Sequence, residues 1–149
     1  MRISSKSHYA LIAMVELALE HNRGNLQLKV ISRRHNLSRK YLEQIFLLLR
    51  AKGLVNSRRG YRGGFVLARA PQEISVFDIL EVMENSMSPV ECIDHAETCD
   101  RHAYCAARRV WAHLKKCIQE ELASVTLAVL AEEQIRKGCL CTPALTYQI

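Results

Sequence analysis

Residues 28–68 constrain the fold more than any other stretch. Leu28 to His35 is a short amphipathic segment with Val30 and Ile31 on its apolar side. His35-Asn36-Leu37 makes a tight connection, and Ser38 is a good N-cap for a helix running to about Lys52. On that helix Leu42, Ile45, Phe46 and Leu49 recur at the spacing of a buried stripe, while Arg39, Lys40, Glu43 and Gln44 fall largely off it. Two short helices joined in this way, the second with a polar outer face, predict a helix-turn-helix. Gly53 closes the second helix, Leu54 to Arg59 reads as a strand, and Phe65 to Ala68 returns after the turn Gly60-Tyr61-Arg62-Gly63-Gly64. A hairpin at this place is a wing. It carries Arg58, Arg59 and Arg62 near its tip, where they can meet phosphates or enter a minor groove.

The flanking segments are helical. Ser5 to His21 has apolar residues at helical spacing and ends in Asn22-Arg23-Gly24-Asn25. Pro71 breaks the chain after the wing, and Ser75 caps a helix from Val76 to about Glu84. Residues 86–105 have little apolar periodicity. From about Ala106 a seam of Val110, Trp111, Leu114, Cys117, Ile118 and Leu122 suits a dimer helix. A last helix, Leu127 to Lys137, stops at Gly138. The expected fold is mainly α: a winged helix-turn-helix with a small β-hairpin wing and a long C-terminal dimerisation helix. Residues 1–85 are expected to form the winged helix-turn-helix DNA-binding domain, 86–105 a cysteine loop, and 106–149 the dimerisation helix and C-terminal tail.

Charge divides the chain in the same place. Residues 1–70 hold 14 Lys and Arg against three Glu, a net of +11, whereas residues 71–149 carry a net of −5. A basic front half fits a polyanion partner, and the order of charge, turn spacing and glycine-rich basic hairpin selects double-stranded DNA. A merely solvated basic face would not impose that order. The apolar run Tyr9 to Leu19 is too short for a membrane span and is interrupted by Glu16, so a cytoplasmic protein with no membrane partner is expected. On the recognition helix Ser38, Arg39, Lys40 and Tyr41 sit at the N-terminal end that usually enters the major groove. Glu43 can accept from a cytosine amino group but repels misplaced phosphate, which favours selective binding; Gln44 lies beside it.

Six cysteines in a reducing compartment point to metal or redox chemistry before disulfides. Cys92, Cys99 and Cys105 fall in a loop, where independent core cysteines would be unusual. Structural zinc sites pair cysteines two to four residues apart, so this wider spacing better suits a larger cofactor whose separate irons meet separate sulfurs. A fourth ligand is open among His8, Asp94, His95, Glu97, Asp100, His102 and His113.

Arg2-Ile3-Ser4-Ser5-Lys6, Tyr9-Ala10, Ser38, Tyr41-Leu42-Glu43-Gln44-Ile45-Phe46, Gly53-Leu54-Val55, Arg59-Gly60 and Gly63-Gly64-Phe65 resemble the IscR–NsrR family of bacterial winged-helix regulators, the Rrf-two type. The resemblance extends to about residue 137. It implies a homodimer on a pseudo-palindromic operator, one iron–sulfur cluster per subunit, 2Fe–2S or 4Fe–4S, and DNA affinity set by the cluster. Cys92, Cys99 and Cys105 stand where cluster-binding members carry their thiols. The cluster's state would report NO, redox state, oxygen or iron and cluster supply, and the iron–sulfur assembly machinery is a further partner implied. IscR-like members carry a histidine three residues after the third cysteine, where this chain has Arg108. NsrR-like members take an acidic ligand from the partner's first helix, at the position of His8, which gives His8 the role of a ligand across the dimer. His102 is the local alternative.

Cys117 is expected in the core, and Cys139 and Cys141 are expected to be reduced bystanders. The rival reading is a winged-helix regulator binding zinc or no metal and answering a small molecule or protein, for example in cysteine metabolism. An enzyme using Cys99 or Cys105 as nucleophile lacks an oxyanion loop and general-base spacing, so no catalysis is expected.

Overall fold

The computed structural model describes residues 3–60, 63–84 and 86–138. Among them the elements are α1 (Ser5–Leu19), α2 (Leu28–His35), α3 (Arg39–Ala51), β1 (Val55–Arg58), β2 (Gly64–Leu67), α4 (Val76–Met83), α5 (Ala107–Ser124) and α6 (Leu127–Arg136). Single 3-10 turns occupy Pro71–Glu73, Glu91–Ile93 and Ala96–Thr98. The expected mainly helical winged fold is present.

α1 is the central helix. Ser4 caps it by accepting from the Ser7 amide at 3.2 Å. Its interior positions Ala10, Ala13, Met14 and Leu17 are buried against Ile31 of α2, Leu42, Ile45, Phe46 and Leu49 of α3, Ile79 and Met83 of α4, and Leu127 and Ala131 of α6. Each large side chain removed from water in this way contributes roughly 1.5–3 kcal/mol. The helix ends at Leu19 rather than His21, because residues 20–23 tighten into a turn in which the Arg23 amide donates to Glu20 O at 2.8 Å.

Glu16 is the charged exception in this largely apolar surface, which also buries the hydroxyl of Ser7. Its side chain is 1% exposed, with Arg34 Nη1 at 2.6 Å and His35 Nε2 at 2.8 Å. A carboxylate removed from water persists only with such partners. The pair therefore fixes the end of α2 against α1.

The wing is antiparallel, pairing Val55 with Leu67 through to Arg58 with Gly64. Its return strand is also held on the other side: the Leu26 amide donates to Phe65 O at 3.0 Å, and the Phe65 amide to Leu26 O at 2.9 Å. A Cβ on Gly64 would lie 2.7 Å from Leu26 O, and one on Gly63 2.5 Å from Arg58 O, so both approaches require glycine.

A smaller apolar cluster joins Val76, Leu80 and Met87 to Ile118 and Leu122 of α5. The seam expected along α5 therefore divides. Ile118 and Leu122 turn towards α4, whereas Val110, Trp111 and Leu114 are exposed. Cys117, expected in the core, is also exposed, with its Sγ 3.5 Å from His113 Nε2 on the preceding turn. Among the described residues no helix is long and apolar enough to cross a membrane.

Candidate nucleic-acid interface and cysteine loop

The turn between α2 and α3 is built by Asn36 in the left-handed conformation (φ 51°), with the Leu37 amide donating to Ser32 O and Ser32 Oγ donating to Leu37 O at 2.6 Å. Asparagine tolerates that conformation, and the turn aims the first residues of α3 outward. Ser38 caps α3 from its side chain, accepting from the Tyr41 amide at 3.4 Å. Ser38, Arg39, Lys40, Glu43 and Gln44 are exposed together at this end. Tyr41 differs. It is half-buried, and its ring meets Tyr9 of α1 edge-on at 6.0 Å, so it braces α3 as well as bordering the exposed face.

Arg39 Nε donates to Glu43 Oε1 at 3.0 Å, one helical turn apart. Free in solution, the acid that could accept from a base is thus already paired. Below it, α3 and the wing enclose a cleft of about 490 Å³ lined in part by Lys29, Arg39, Glu43, Leu47 and Arg50, with Gly63, Gly64 and Phe65 opposite. Arg50 Nη1 reaches Ser57 Oγ of β1 at 3.4 Å. Lys29, Leu47 and Arg50 were not among the residues singled out from sequence. The signal was present, since Arg39, Glu43, Leu47 and Arg50 follow one helical face. Arg58 and Arg59 are exposed on the wing, and Arg62 lies outside the described residues.

Cys92 lies in the turn Glu91–Ile93, Cys99 ends the turn Ala96–Thr98, and Cys105 stands just before α5. All are free thiols, the first two half-buried and the third exposed. Among the described residues no three His, Cys, Asp or Glu side chains converge as a set that could hold a metal ion. His8 is exposed on α1 and borders an α1–α6 cleft of about 470 Å³ with His35, Leu130, Glu133 and Lys137; no cysteine lines it. Within one chain, His8 and the thiols thus line different surfaces. Cys139 and Cys141 lie outside the described residues.

Two carboxylates that sequence reasoning did not assign a structural part organise the surroundings. Glu84, just past α4, accepts from the Ser4 amide at 2.8 Å and from Ser7 Oγ, and so closes the N-terminus of α1. Burial works to raise its pKa, but the bonds from Ser7 and Ser4 outweigh it and hold the group below its ordinary value. Asp94 accepts from Lys115 Nζ at 2.6 Å, from Ser88 Oγ at 2.6 Å and from Ser86 Oγ. The Lys115 bond, followed by those from Ser86 and Ser88, holds its carboxyl well below the usual carboxylate range. Its oxygens are therefore engaged with the protein, which argues against Asp94 as a metal ligand.

The loop still suits an anionic group. Three thiols on a segment of fourteen residues have neither disulfides nor core positions. Arg108, one turn past Cys105, has its Nε buried without a hydrogen-bond partner among the described residues. A buried donor left in that condition costs about 1–3 kcal/mol, and an anion beside it would remove the cost.

Residues 3–133 match the model of the family described as Rrf2, iron-dependent transcriptional regulator. The chain is 42% identical over 131 residues to the HTH-type transcriptional regulator CymR of Bacillus subtilis, covering 88% of this chain and 90% of that protein. The solved structure of that CymR, the global cysteine regulator of B. subtilis, superposes with a TM-score of 0.76 over 89% of this chain and 98% of its own. The structure of T. potens IscR gives 0.75 at 35% identity, covering 99% and 97%. The relatives are transcriptional regulators, not enzymes. The basic helix-turn-helix, the wing and these matches agree: the chain belongs to the Rrf2 family of DNA-binding transcriptional regulators.

Proposed function

We propose that the protein is a homodimeric regulator of transcription, acting in the cytoplasm, whose affinity for a pseudo-palindromic operator is set by an iron–sulfur cluster on Cys92, Cys99 and Cys105. Ser38, Arg39, Lys40, Tyr41, Glu43 and Gln44 would position and read the major groove, with Arg58, Arg59 and Arg62 on the flanking backbone or minor groove. The observation that carries the cluster is the loop itself: three thiols outside the core with no disulfide among the described residues, followed by the Arg108 Nε, buried without a hydrogen-bond partner among them. Thiolates would ligate the irons, and the Arg108 guanidinium would face the negative charge that they accumulate. A cluster supplies iron that reacts with NO or oxygen and exchanges electrons. His8, which lines a cleft that holds none of the three thiols, would serve as fourth ligand to the cluster of the second copy, with the iron–sulfur assembly machinery delivering the group.

The second reading is a regulator of cysteine metabolism that answers a small molecule or protein and holds zinc or no metal. The 42% identity to CymR favours it, as does the lack of a converged ligand set among the described residues. Anaerobic purification separates the two. The cluster reading expects a brown protein with iron and acid-labile sulfide, and operator affinity that changes when the cluster is removed. Cys99→Ser should cripple assembly, whereas Cys117→Ser should leave the visible spectrum nearly intact. Full iron and sulfide in Cys99→Ser would sink the three-cysteine site, and a colourless, iron-free wild type that still binds operator would select the second reading.

A further inference from the structure

The two ends of the cysteine loop are held very differently. At the Cys92 end, the Asp94 carboxylate gathers three donors from two separate elements of the chain: Ser86 and Ser88 from the segment after α4, and Lys115 from the middle of α5. The backbone supports it, because the amides of Asp94 and His95 both donate to Glu91 O at 3.0 Å, and the Ser88 amide donates to Ser86 Oγ at 3.0 Å. The Asp94 and Lys115 side chains are only 20% and 28% exposed, and they line a cleft of about 260 Å³ beside Glu84, Phe77 and Gln119. A surface ion pair completed by two hydroxyl donors is stronger than an isolated one.

From Ala96 to Cys105 nothing comparable exists among the described residues. The bonds there are between near neighbours in the chain: Thr98 to His95 O, Cys99 to Ala96 O, His102 to Cys99 O, Tyr104 to Arg101 O, and, where the stretch runs into α5, the Arg108 amide to Cys105 O at 3.2 Å. The His102 ring reaches only Cys99 O, at 3.2 Å, and Tyr104 is 93% exposed. Among the described residues no side-chain bond from this stretch reaches another element.

We propose that Asp94 is a positioning residue that fastens the Cys92 turn to α5, so that residues 96–106 alone rearrange when the loop takes up or loses what its thiols hold. The role in metal binding rests on the cluster reading above; the fastening itself does not. With the turn that carries Cys92 fastened to α5 and Cys105 leading into that helix, gain or loss of a bound group would move Cys99 most, relative to a helix whose outer face is exposed. A strain produced at the loop would then be delivered to α5 through Lys115 rather than dissipated in solvent.

Hydrogen exchange on the metal-free full chain tests the fastening. Amides of residues 88–95 should exchange more slowly than those of 97–104. Asp94→Asn and Lys115→Met should each speed exchange in 88–95 by about tenfold, the usual effect of losing a charge-assisted bond, and leave α1 and α3 unchanged. Lys115→Arg should preserve protection. After anaerobic reconstitution with iron and sulfide, Asp94→Asn should load a cluster, since every thiol is intact, but release it to a chelator several-fold faster than wild type. Unchanged exchange in both variants overturns the fastening, and unchanged cluster release in a protein that does load overturns its role at the site. Should the wild type load no cluster, the cluster reading falls, and the exchange comparison still decides the fastening.

Discussion

The winged half and the cysteine half of this chain are finished to different degrees. In the winged half α1, α2 and α3 turn their apolar faces into one core that α4 joins through Ile79 and Met83, and among the described residues the single buried carboxylate, Glu16, has an arginine and a histidine beside it. From residue 90 to residue 124 no side chain is fully buried: the thiols face outward or halfway, and α5 leaves Val110, Trp111 and Leu114 in water. Large apolar side chains in one patch mark a surface meant to be covered. The core beneath α3 and the wing is thus closed within one polypeptide, whereas α5 and the loop have needs that one polypeptide does not meet. Rrf2 regulators are typically dimeric, which is the simplest way to meet the first of them.

The sharpest test sets one substitution in each half side by side. Phe46 is wholly buried and packs on Phe65 with ring centroids 4.6 Å apart. Phe46→Ala should lower the unfolding free energy by about 3–5 kcal/mol and abolish operator binding near physiological temperature. Leu114→Ser should change the stability of the isolated chain by less than about 0.5 kcal/mol, yet raise the concentration at which sedimentation shows self-association. Equal destabilisation by the two would erase the contrast.

Smaller effects sharpen the account of the winged half. Glu43→Ala should reduce discrimination at one base pair by about 1–3 kcal/mol in competition binding. Because it also releases Arg39 from its 3.0 Å pair, affinity for unrelated DNA should hold or rise. A uniform loss across sequences would make Glu43 structural. Arg59→Ala should weaken binding and flatten the dependence on salt, each phosphate contact contributing a log–log slope of about −0.9; an unchanged slope and affinity would remove the wing from the interface.

The smallest effect concerns Glu84, which joins α4 to the start of α1. Its pKa is lower in the folded state than its ordinary 4.5, so its contribution is present above that pH and is lost as pH falls through the folded value. Glu84→Gln should cost about 1 kcal/mol at neutral pH, and the gap from wild type should close under acid. A gap that persists unchanged to pH 3 in urea unfolding would show that the charge is not what holds α1.

α3 and the wing were legible because their signals are local: a capping serine, a stripe at helical spacing, glycines between short strands. Burial of Glu16 was not, since a lone acid in an apolar run reads the same whether it faces solvent or a distant Arg34. The seam on α5 was found, but periodicity identifies a stripe without saying whether the chain itself or another copy covers it. That is why Ile118 and Cys117, read together, lie on different faces. Asp94 was noticed only as a possible ligand. Its donors lie six to 21 residues away, beyond any local pattern.

The Leu26–Phe65 bridge bears on the energetics of DNA recognition. A hairpin anchored at one edge only would sample many tilts, and binding would have to select among them, at about 0.5–1.5 kcal/mol for each side chain immobilised in the process. Here the outer edge of the return strand is hydrogen-bonded to the segment leading into α2, so this strand is tied to the helix-turn-helix before any DNA arrives. In the proposed reading the wing arginines would add their charge to a preorganised surface, and discrimination among sequences would depend on which duplex shape fits it.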